Sequence, residues 1–364
     1  MQADIVIIGA GPAGLSLAGV LARKGLKIAI IDPAGADDLE QPRDDCREIA
    51  LTRLSRELLE QWRQWQLLPD TDYAPLVEAQ VFDGASERPM QIQSRNGLDP
   101  LGWMVSNQAL RRVAYAAAKD LDGIAWHLSR RMNRIDINED AARVELDDGS
   151  CITARLTIAA DSRFSSARRA AGLSARMHDF GRTMLVCRMQ LQKPVPGVAW
   201  EWLDYGQTLA LLPLNVDMAS VVITLPPAET ERLCALPVHE FEIEVERHFW
   251  HRLGSMRLIG NRYPYPLVGV RPDNIVSKRF ACIGDAAIGM HPITAHGYNL
   301  GLRGIALLGD RIQSALDGGK DFAGNDVLSG FQAEFMAIAR PLYFSTLSIV
   351  RLYSDDRAPA KLLR

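Results

Sequence analysis

The chain has 364 residues, 48% hydrophobic and 23% charged, with a formal net charge of −3. That is a globular composition with room for two or three modest domains, and it excludes a disordered or fibrous chain. The charge balance gives no electrostatic case for nucleic acid, and no uninterrupted apolar run reaches the ~18 residues of a membrane span. Five scattered cysteines (Cys46, Cys151, Cys187, Cys234, Cys282) show neither a disulfide framework nor zinc spacing, so a reduced, cytoplasmic chain is expected.

Residues 4–8 read as a buried parallel strand, not a signal peptide. Gly9-Ala10-Gly11-Pro12-Ala13-Gly14 follows, then apolar residues at helical spacing, then a second strand at 27–31 ending in Asp32. This is G-x-G-x-x-G with a strand before it, a helix after it and an acid at the end of the next strand. Gly9 allows the tight turn, Gly11 lets a pyrophosphate approach, and Gly14 lets the helix pack on the sheet. Asp32 can accept from an adenosine ribose. The motif alone leaves FAD and NAD(P) open.

Arg47-Glu48-Ile49-Ala50-Leu51 leads into a helix carrying Leu54, Leu58, Leu59, Trp62 and Trp65. Arg47 is either a surface charge or a planar grip on dinucleotide phosphates. Residues 80–92 read as a strand, residues 107–114 as a helix, and 145–156 as a hairpin around Asp147-Asp148-Gly149. A short strand at 157–160 ends in Asp161. From 182 the texture turns β-rich, with strands at 186–191, 207–214 and 218–225 and an amphipathic helix at 239–253. Pro264 and Pro266 make 258–268 an edge strand or loop.

Residues 280–283 are a further buried strand, ended by Gly284-Asp285. A loop with Gly289, Pro292 and Gly297 follows, and a helix is expected from near Asn299 through Leu300. Its positive end favours an anion in the loop. Three strands thus place Asp32, Asp161 and Asp285 at C-terminal lips, where open α/β sheets bind ligands. Residues 328–353 read as helix, broken at Pro341.

Three separated motifs carry a resemblance: GAGPAG at 9–14, DSRFSSAR at 161–168, and Gly284-Asp285 with His291-Pro292 and GYNLGL at 297–302. Together they resemble the single-component FAD-dependent aromatic hydroxylases (class A flavoprotein monooxygenases). REIALT at 47–52, ALLPL at 210–214 and NLGLRG at 299–304 draw the chain nearest the ubiquinone-biosynthesis hydroxylases of the UbiH/UbiF/UbiM type. The resemblance covers nearly the whole chain.

It implies an α/β fold. An FAD-binding Rossmann-like domain of the glutathione-reductase type would span 1–181 and 271–327. An inserted antiparallel-sheet substrate domain would span 182–270, with 76–97 on its side, and a C-terminal helical segment 328–364. It implies FAD as resident cofactor and NAD(P)H as electron donor, with O2 and an aromatic or prenylated phenol as substrates. The ADP half would lie on Gly9, Gly11, Pro12, Ala13, Gly14 and Asp32. Arg47 and Arg111 would reach phosphate or ribityl oxygens, and Asp285 a ribityl hydroxyl. Asp161 would serve both FAD and NAD(P)H, and Gly284, Pro292, Gly297, Tyr298, Asn299 and Leu300 would complete the cradle. Other ubiquinone-biosynthesis proteins and the inner face of the membrane are the partners implied, the latter by peripheral contact. The C-terminus is short for such a family.

The chain departs from the family pattern at Asp161-Ser162 (commonly Asp-Gly), at Ile288 (commonly His) and at Ala295-His296-Gly297 (commonly Gly-Gln-Gly). His296 is either a structural histidine bonded to a loop carbonyl or a proton-handling group; with Pro292 it is the catalytic candidate. His291 reads as structural, and Arg168 as an ion-pair or phosphate residue. A flavin-binding scaffold without hydroxylase activity, or a hydroxylase of another small aromatic, stays open. Neither the halogenase W-x-W-x-I-P run nor the reductase Y-x-W-x-F-P run is present; Trp200-Glu201-Trp202 continues as Leu203-Asp204-Tyr205.

Overall fold

The computed structural model describes residues 1–84, 86, 88–94, 99–204 and 206–354. Residues 355–364 of the C-terminal segment, the end of the 76–97 stretch and Tyr205 lie outside the described residues. Ile5, Val6 and Ile7 are fully buried, because strand Gln2–Ile8 lies inside a sheet covered on both faces. Its parallel neighbours are Ile28–Asp32 and Cys151–Ala159, and Phe280–Cys282 pairs parallel with the latter. The helix Pro12–Ala22 packs on this sheet, opened by a proline at its first position. The parallel register puts Asp32, Asp161 and Asp285 just beyond neighbouring strand ends, along one edge.

Several elements differ from the sequence reading. The short strand expected at 157–160 is the end of a nine-residue strand, Cys151–Ala159. Its start pairs antiparallel with Ala142–Leu146 before the chain runs into the parallel sheet. The strand expected over 80–92 is two, Glu78–Asp83 and Met90–Gln93, paired antiparallel. The late helix starts earlier than expected and spans His296–Asp317. The C-terminal helix runs unbroken over Asn325–Ser354 with Pro341 inside it. A mid-helix proline costs about 3 kcal/mol. Here Phe331, Phe335, Ala339 and Tyr343, all buried, hold both halves against one core.

A second sheet runs in the order Met256–Pro272, Ala175–Leu191, Met218–Leu225, Gln207–Pro213, Val198–Asp204, Glu78–Asp83, Met90–Gln93. It is antiparallel except for one parallel pairing, Val198–Asp204 with Glu78–Asp83. The proline-bearing strand is at the edge, where missing N–H donors are tolerated. One face packs on the helices Pro227–Ala235 and Val238–His248 through Leu185, Trp202, Val221, Phe241 and Val245. Strand alternation turns the residues between these to the opposite face, toward the Asp44–Glu48 segment and the loop that carries His291. Arg188 on that face bonds Asp44 and Glu48, and the Tyr265 hydroxyl donates to the Asp45 carbonyl at 2.8 Å.

Candidate functional site

The three sequence motifs meet at one place. Gly9 has φ +111, and a Cβ there would lie 2.5 Å from the Ala160 carbonyl oxygen. A Cβ on Gly14 would lie 2.0 Å from the Gly9 oxygen. A Cβ on Gly284 would meet Ala13 at 3.0 Å, and one on Gly301 would meet Gly284 at 3.5 Å. The second motif joins through arginines. Arg163 donates to Asp285 at 2.9 and 3.2 Å and to the Val268 carbonyl. Buried Arg168 donates to the Arg163 and Ala286 carbonyls. Arg168 thus ties two loops together and makes no ion pair among the described residues.

The lip carboxylates differ in what they hold. Asp32 accepts from the Ala10 and Ala34 N–H groups at 2.6 and 2.8 Å, so it braces the glycine loop from below. Both Arg163 bonds fall on Oδ2 of Asp285, which leaves Oδ1 for another donor. Asp161 does not stand free, contrary to the expectation that it serves two nucleotides. It accepts from the Ser165 and Ser166 hydroxyls and from the Ser166 and Ala167 N–H groups, at the start of helix Ser166–Ala170. Arg47 donates to Asp45 at 2.7 and 2.9 Å and lies over the Tyr265 ring. Arg111, on helix Asn107–Ala118, makes no hydrogen bond or ion pair among the described residues.

The helix His296–Asp317 begins without a side-chain cap, so the N–H groups of His296, Gly297 and Tyr298 have no intrahelical partner. That earlier start moves the Leu300 N–H into the helix, and its buried side chain packs in the core. Asn299 is also committed. Its amide donates to the Ala50 and Ala295 carbonyls and accepts from the Thr52 N–H and Ser55 hydroxyl, which uses its full bonding capacity. Asn299 therefore staples the REIALT and NLGLRG stretches together rather than offering its side chain to a ligand. The Tyr298 hydroxyl is buried with no partner among the described residues, and burial raises its pKa.

His296 is half-buried and bonds no loop carbonyl among the described residues, which removes its simplest structural reading; burial lowers its pKa. His291 accepts the Ile293 N–H on Nδ1. Burial, then the Arg163 charge, holds its pKa down to about 4, so it is a neutral turn-capping residue. Pro292, itself exposed, opens that turn, Pro292–Thr294.

Two departures from the family pattern acquire a physical cost. Ser162 has φ 77 and Ala295 φ 52, the left-handed region that glycine enters without a Cβ penalty. Ser162→Gly and Ala295→Gly are each expected to stabilise the protein by about 1 kcal/mol. Denaturant midpoints measure this; unchanged or lower midpoints would show that the loops relax around the side chain. Ile288 packs in the core at 3% exposure.

Sequence reading missed Arg188, Glu48 and Arg163. Arg188 sits amid Leu185, Val186, Cys187 and Met189; a lone guanidinium in an apolar strand was the available signal. Glu48 is buried against it at 2.8 Å. Burial outweighs the arginine's attraction and pushes Glu48 up to about 7. At Arg188 burial pulls downward, yet Glu48 and Asp44 together win and raise its pKa.

A dinucleotide fits this set. A Cβ on Gly11 or Gly297 would meet no heavy atom within 4 Å, so both backbones face open space. Each lies at an uncapped helix N-terminus, which favours phosphate or another anion. Residues 2–342 match the family described as FAD binding domain. The ubiquinone hydroxylase UbiM of Neisseria meningitidis is 39% identical over all of this chain and 80% of its own length. The ubiquinone hydroxylase UbiL of Rhodospirillum rubrum is 32% identical over all of this chain and 84% of its own. Among solved structures, PqsL of Pseudomonas aeruginosa superposes with a TM-score of 0.81 at 20% identity, covering 98% of this chain and 97% of that one. The p-nitrophenol 4-monooxygenase PnpA of Pseudomonas putida superposes with a TM-score of 0.76 at 15% identity, covering 99% and 92%. No helix among the described residues is long and apolar enough to cross a membrane. A glycine loop, a lip of carboxylates and an uncapped late helix on one sheet edge, in a chain matched throughout by these relatives, mean that the chain belongs to the FAD-dependent flavoprotein monooxygenases, among the ubiquinone hydroxylases.

Proposed function

We propose that the chain hydroxylates the ring of a prenylated phenol or quinol intermediate of ubiquinone biosynthesis, using NAD(P)H and O2. The observation that carries the substrate class is the sheet face turned toward the Asp44–Glu48 segment and the His291 loop. Val81 and Ala79 on it pair with Met90 and Ile92, which are 61% and 44% exposed at the sheet's edge. That is an apolar lane from the interior to solvent, suited to a ring inside and a prenyl tail leaving. A membrane surface or a lipid-carrying biosynthetic partner would meet the tail at that edge.

Bound FAD supplies the electron transfer and O2 chemistry. Gly9, Gly11, Pro12, Ala13 and Gly14 would cradle the pyrophosphate, Asp32 the ribose, and Oδ1 of Asp285 a ribityl hydroxyl. Arg111 is free for a phosphate, and Arg47 could join it by exchanging Asp45. The N–H groups of His296, Gly297 and Tyr298 would stabilise negative charge on the cofactor by ~0.3–1 kcal/mol, up to ~2 where partly buried. His296, unpaired at that helix start, is our candidate for proton handling. His296→Gln should leave FAD bound while changing the rate of reduction by NAD(P)H or the fraction of O2 released as peroxide; stopped-flow traces identical to wild type would remove this role.

The test of the function is incubation of the FAD-loaded protein with NAD(P)H, isotopically labelled O2 and a short-chain prenylphenol. One labelled oxygen in the product is expected. NAD(P)H consumption without oxygen in any phenol offered would reject the substrate class. No consumption at all would favour a flavin-binding scaffold.

A further inference from the structure

Glu201 interrupts an apolar cross-strand row. It lies in strand Val198–Asp204 between Trp200 and Trp202. Trp202 turns to the helix-covered face, where it stacks on Phe82 at 4.4 Å and on Trp250 at 4.1 Å. Alternation therefore puts Glu201 on the opposite face with Ala199 and Leu203. Its cross-strand neighbours are Val81 on one side and Ala210 on the other, and the row continues through Val222 and Val186. Thr208 and Thr224, on the same face, line a small open cleft with His291 and Ile293. The carboxyl thus belongs to the face turned toward the His291 loop, at the inner end of the Val81–Met90 lane.

Glu201 has no hydrogen bond or ion pair among the described residues. Burial alone pushes its pKa up to about 8, with no neighbouring charge contributing. Its side chain is nonetheless partly accessible, as expected of a group that lines an internal space rather than one packed in a core. An unpaired carboxyl enclosed by apolar residues is costly to the fold, which makes it a candidate for a ligand contact. A second polar group on this face is also unsatisfied: the Ser220 hydroxyl is buried without a partner among the described residues, between Leu212 and Arg188 on the neighbouring strands. Of the other titratable or charged groups on this side, Asp83 is at the exposed end of its strand, Arg188 is held by Asp44 and Glu48, Tyr263 extends the row beyond Val186, Tyr265 donates to the Asp45 carbonyl, and Arg182 and neutral His291 line the cleft.

We propose that Glu201 receives the phenolic hydroxyl of the substrate and accepts its proton as the ring is oxygenated. The proposal rests on the function proposed above and names the residue that activates the ring. The phenol O–H bond breaks and a Glu201 O–H bond forms. The electron pair left on the phenol oxygen flows into the ring and makes the ortho and para carbons nucleophilic. One such carbon forms the new C–O bond with one atom of O2 as the O–O bond breaks; NAD(P)H supplies the two electrons, and the second oxygen atom leaves as water. The ring then loses its C–H proton to solvent as it regains aromaticity, and Glu201 returns its proton to the ring oxygen. Val81, Ala79, Ile92 and Met90 carry the tail.

The base must be ionised to act, so wild-type kcat/KM for a prenylphenol should rise with pH through a limb near 8. Glu201→Gln in the FAD-loaded enzyme should keep the flavin spectrum and FAD affinity. It should lower kcat/KM by about 100-fold or more and abolish that limb. A readout without turnover is the absorbance of bound phenol at pH 8: a phenolate band is expected with wild type and none with the variant. An unchanged pH limb in Glu201→Gln, or the same phenolate band in both proteins, overturns the proposal. If wild type hydroxylates no phenol, the proposed function fails first, and the phenolate titration still decides the role of Glu201.

Discussion

Gly11→Ala is expected to leave the apoprotein folded while weakening FAD by roughly 10–100-fold; Gly14→Ala is expected to damage both. The two glycines are three residues apart in one motif, but their surroundings differ. Gly11 has φ −73 and ψ 175, open to any residue, and a Cβ there points into open space. An added methyl group costs the empty protein under about 1 kcal/mol as a poorer helix cap. The same methyl would occupy the approach a pyrophosphate needs. On Gly14 the Cβ would stand 2.0 Å from the Gly9 carbonyl oxygen and 3.3 Å from Ala160. Backbone cannot swing aside as a side chain does, so the loop must shift, at about 1–3 kcal/mol or more. Thermal melts of the apoproteins and FAD titrations separate the two effects. A Gly11→Ala protein that binds FAD as tightly as wild type would mean that the pyrophosphate lies elsewhere.

The second large effect is expected where the second sheet meets the segment Asp44–Glu48. Arg188→Met removes the counter-ion of Glu48, whose side chain is 2% exposed, and releases Asp44 as well. Breaking a buried pair on one side costs about 3–5 kcal/mol. The cost depends on pH with a definite sign. Glu48 is raised in the folded state from an ordinary 4.5 to about 7. A raised carboxyl penalises the fold as pH climbs from the unfolded value through the folded one. The Arg188→Met loss should therefore be smallest near pH 5, where Glu48 holds its proton in the native state, and should grow as pH rises past 7, because losing Arg188 raises the carboxyl further. Adding Glu48→Leu should recover much of the loss, since an apolar pair avoids the buried charge. Denaturant melts at both pH values test this. A loss equal at the two pH values would mean that Asp44, not Glu48, carries the interaction.

What was legible in the sequence follows from how local the cause was. The G-x-G-x-x-G turn could be read because its glycines answer to neighbours a few residues away, as Gly14 does to Gly9. The three lip acids could be read because each ends an apolar run, and parallel pairing then aligns the ends. Helix boundaries were less legible. The turn at Pro292–Thr294 and the left-handed Ala295 let the late helix begin at His296, which a glycine at 297 disguised. Pro341 read as a break because its cost is local, whereas the packing of Phe335 and Tyr343 that overrides it is tertiary. Partnerships across hundreds of residues were not legible at all. Asn299 looked like a ligand for the cofactor until Thr52, Ser55 and Ala50 were seen to use its amide. Asp161 looked free until its own loop folded back onto it. Glu201 was visible in the sequence only as an acid between two tryptophans. Its meaning depends on which face of a seven-stranded sheet looks at the His291 loop.

The measurement that bears most directly on the central claim is the visible absorption spectrum of the FAD-reconstituted protein, followed with NAD(P)H and a prenylphenol, first without and then with O2. The account predicts a bound-flavin spectrum that bleaches under NAD(P)H and returns when air is admitted, with hydroxylated phenol formed. Absence of flavin binding on reconstitution, or a bound flavin that NAD(P)H leaves oxidised in the presence of the phenol, would contradict it.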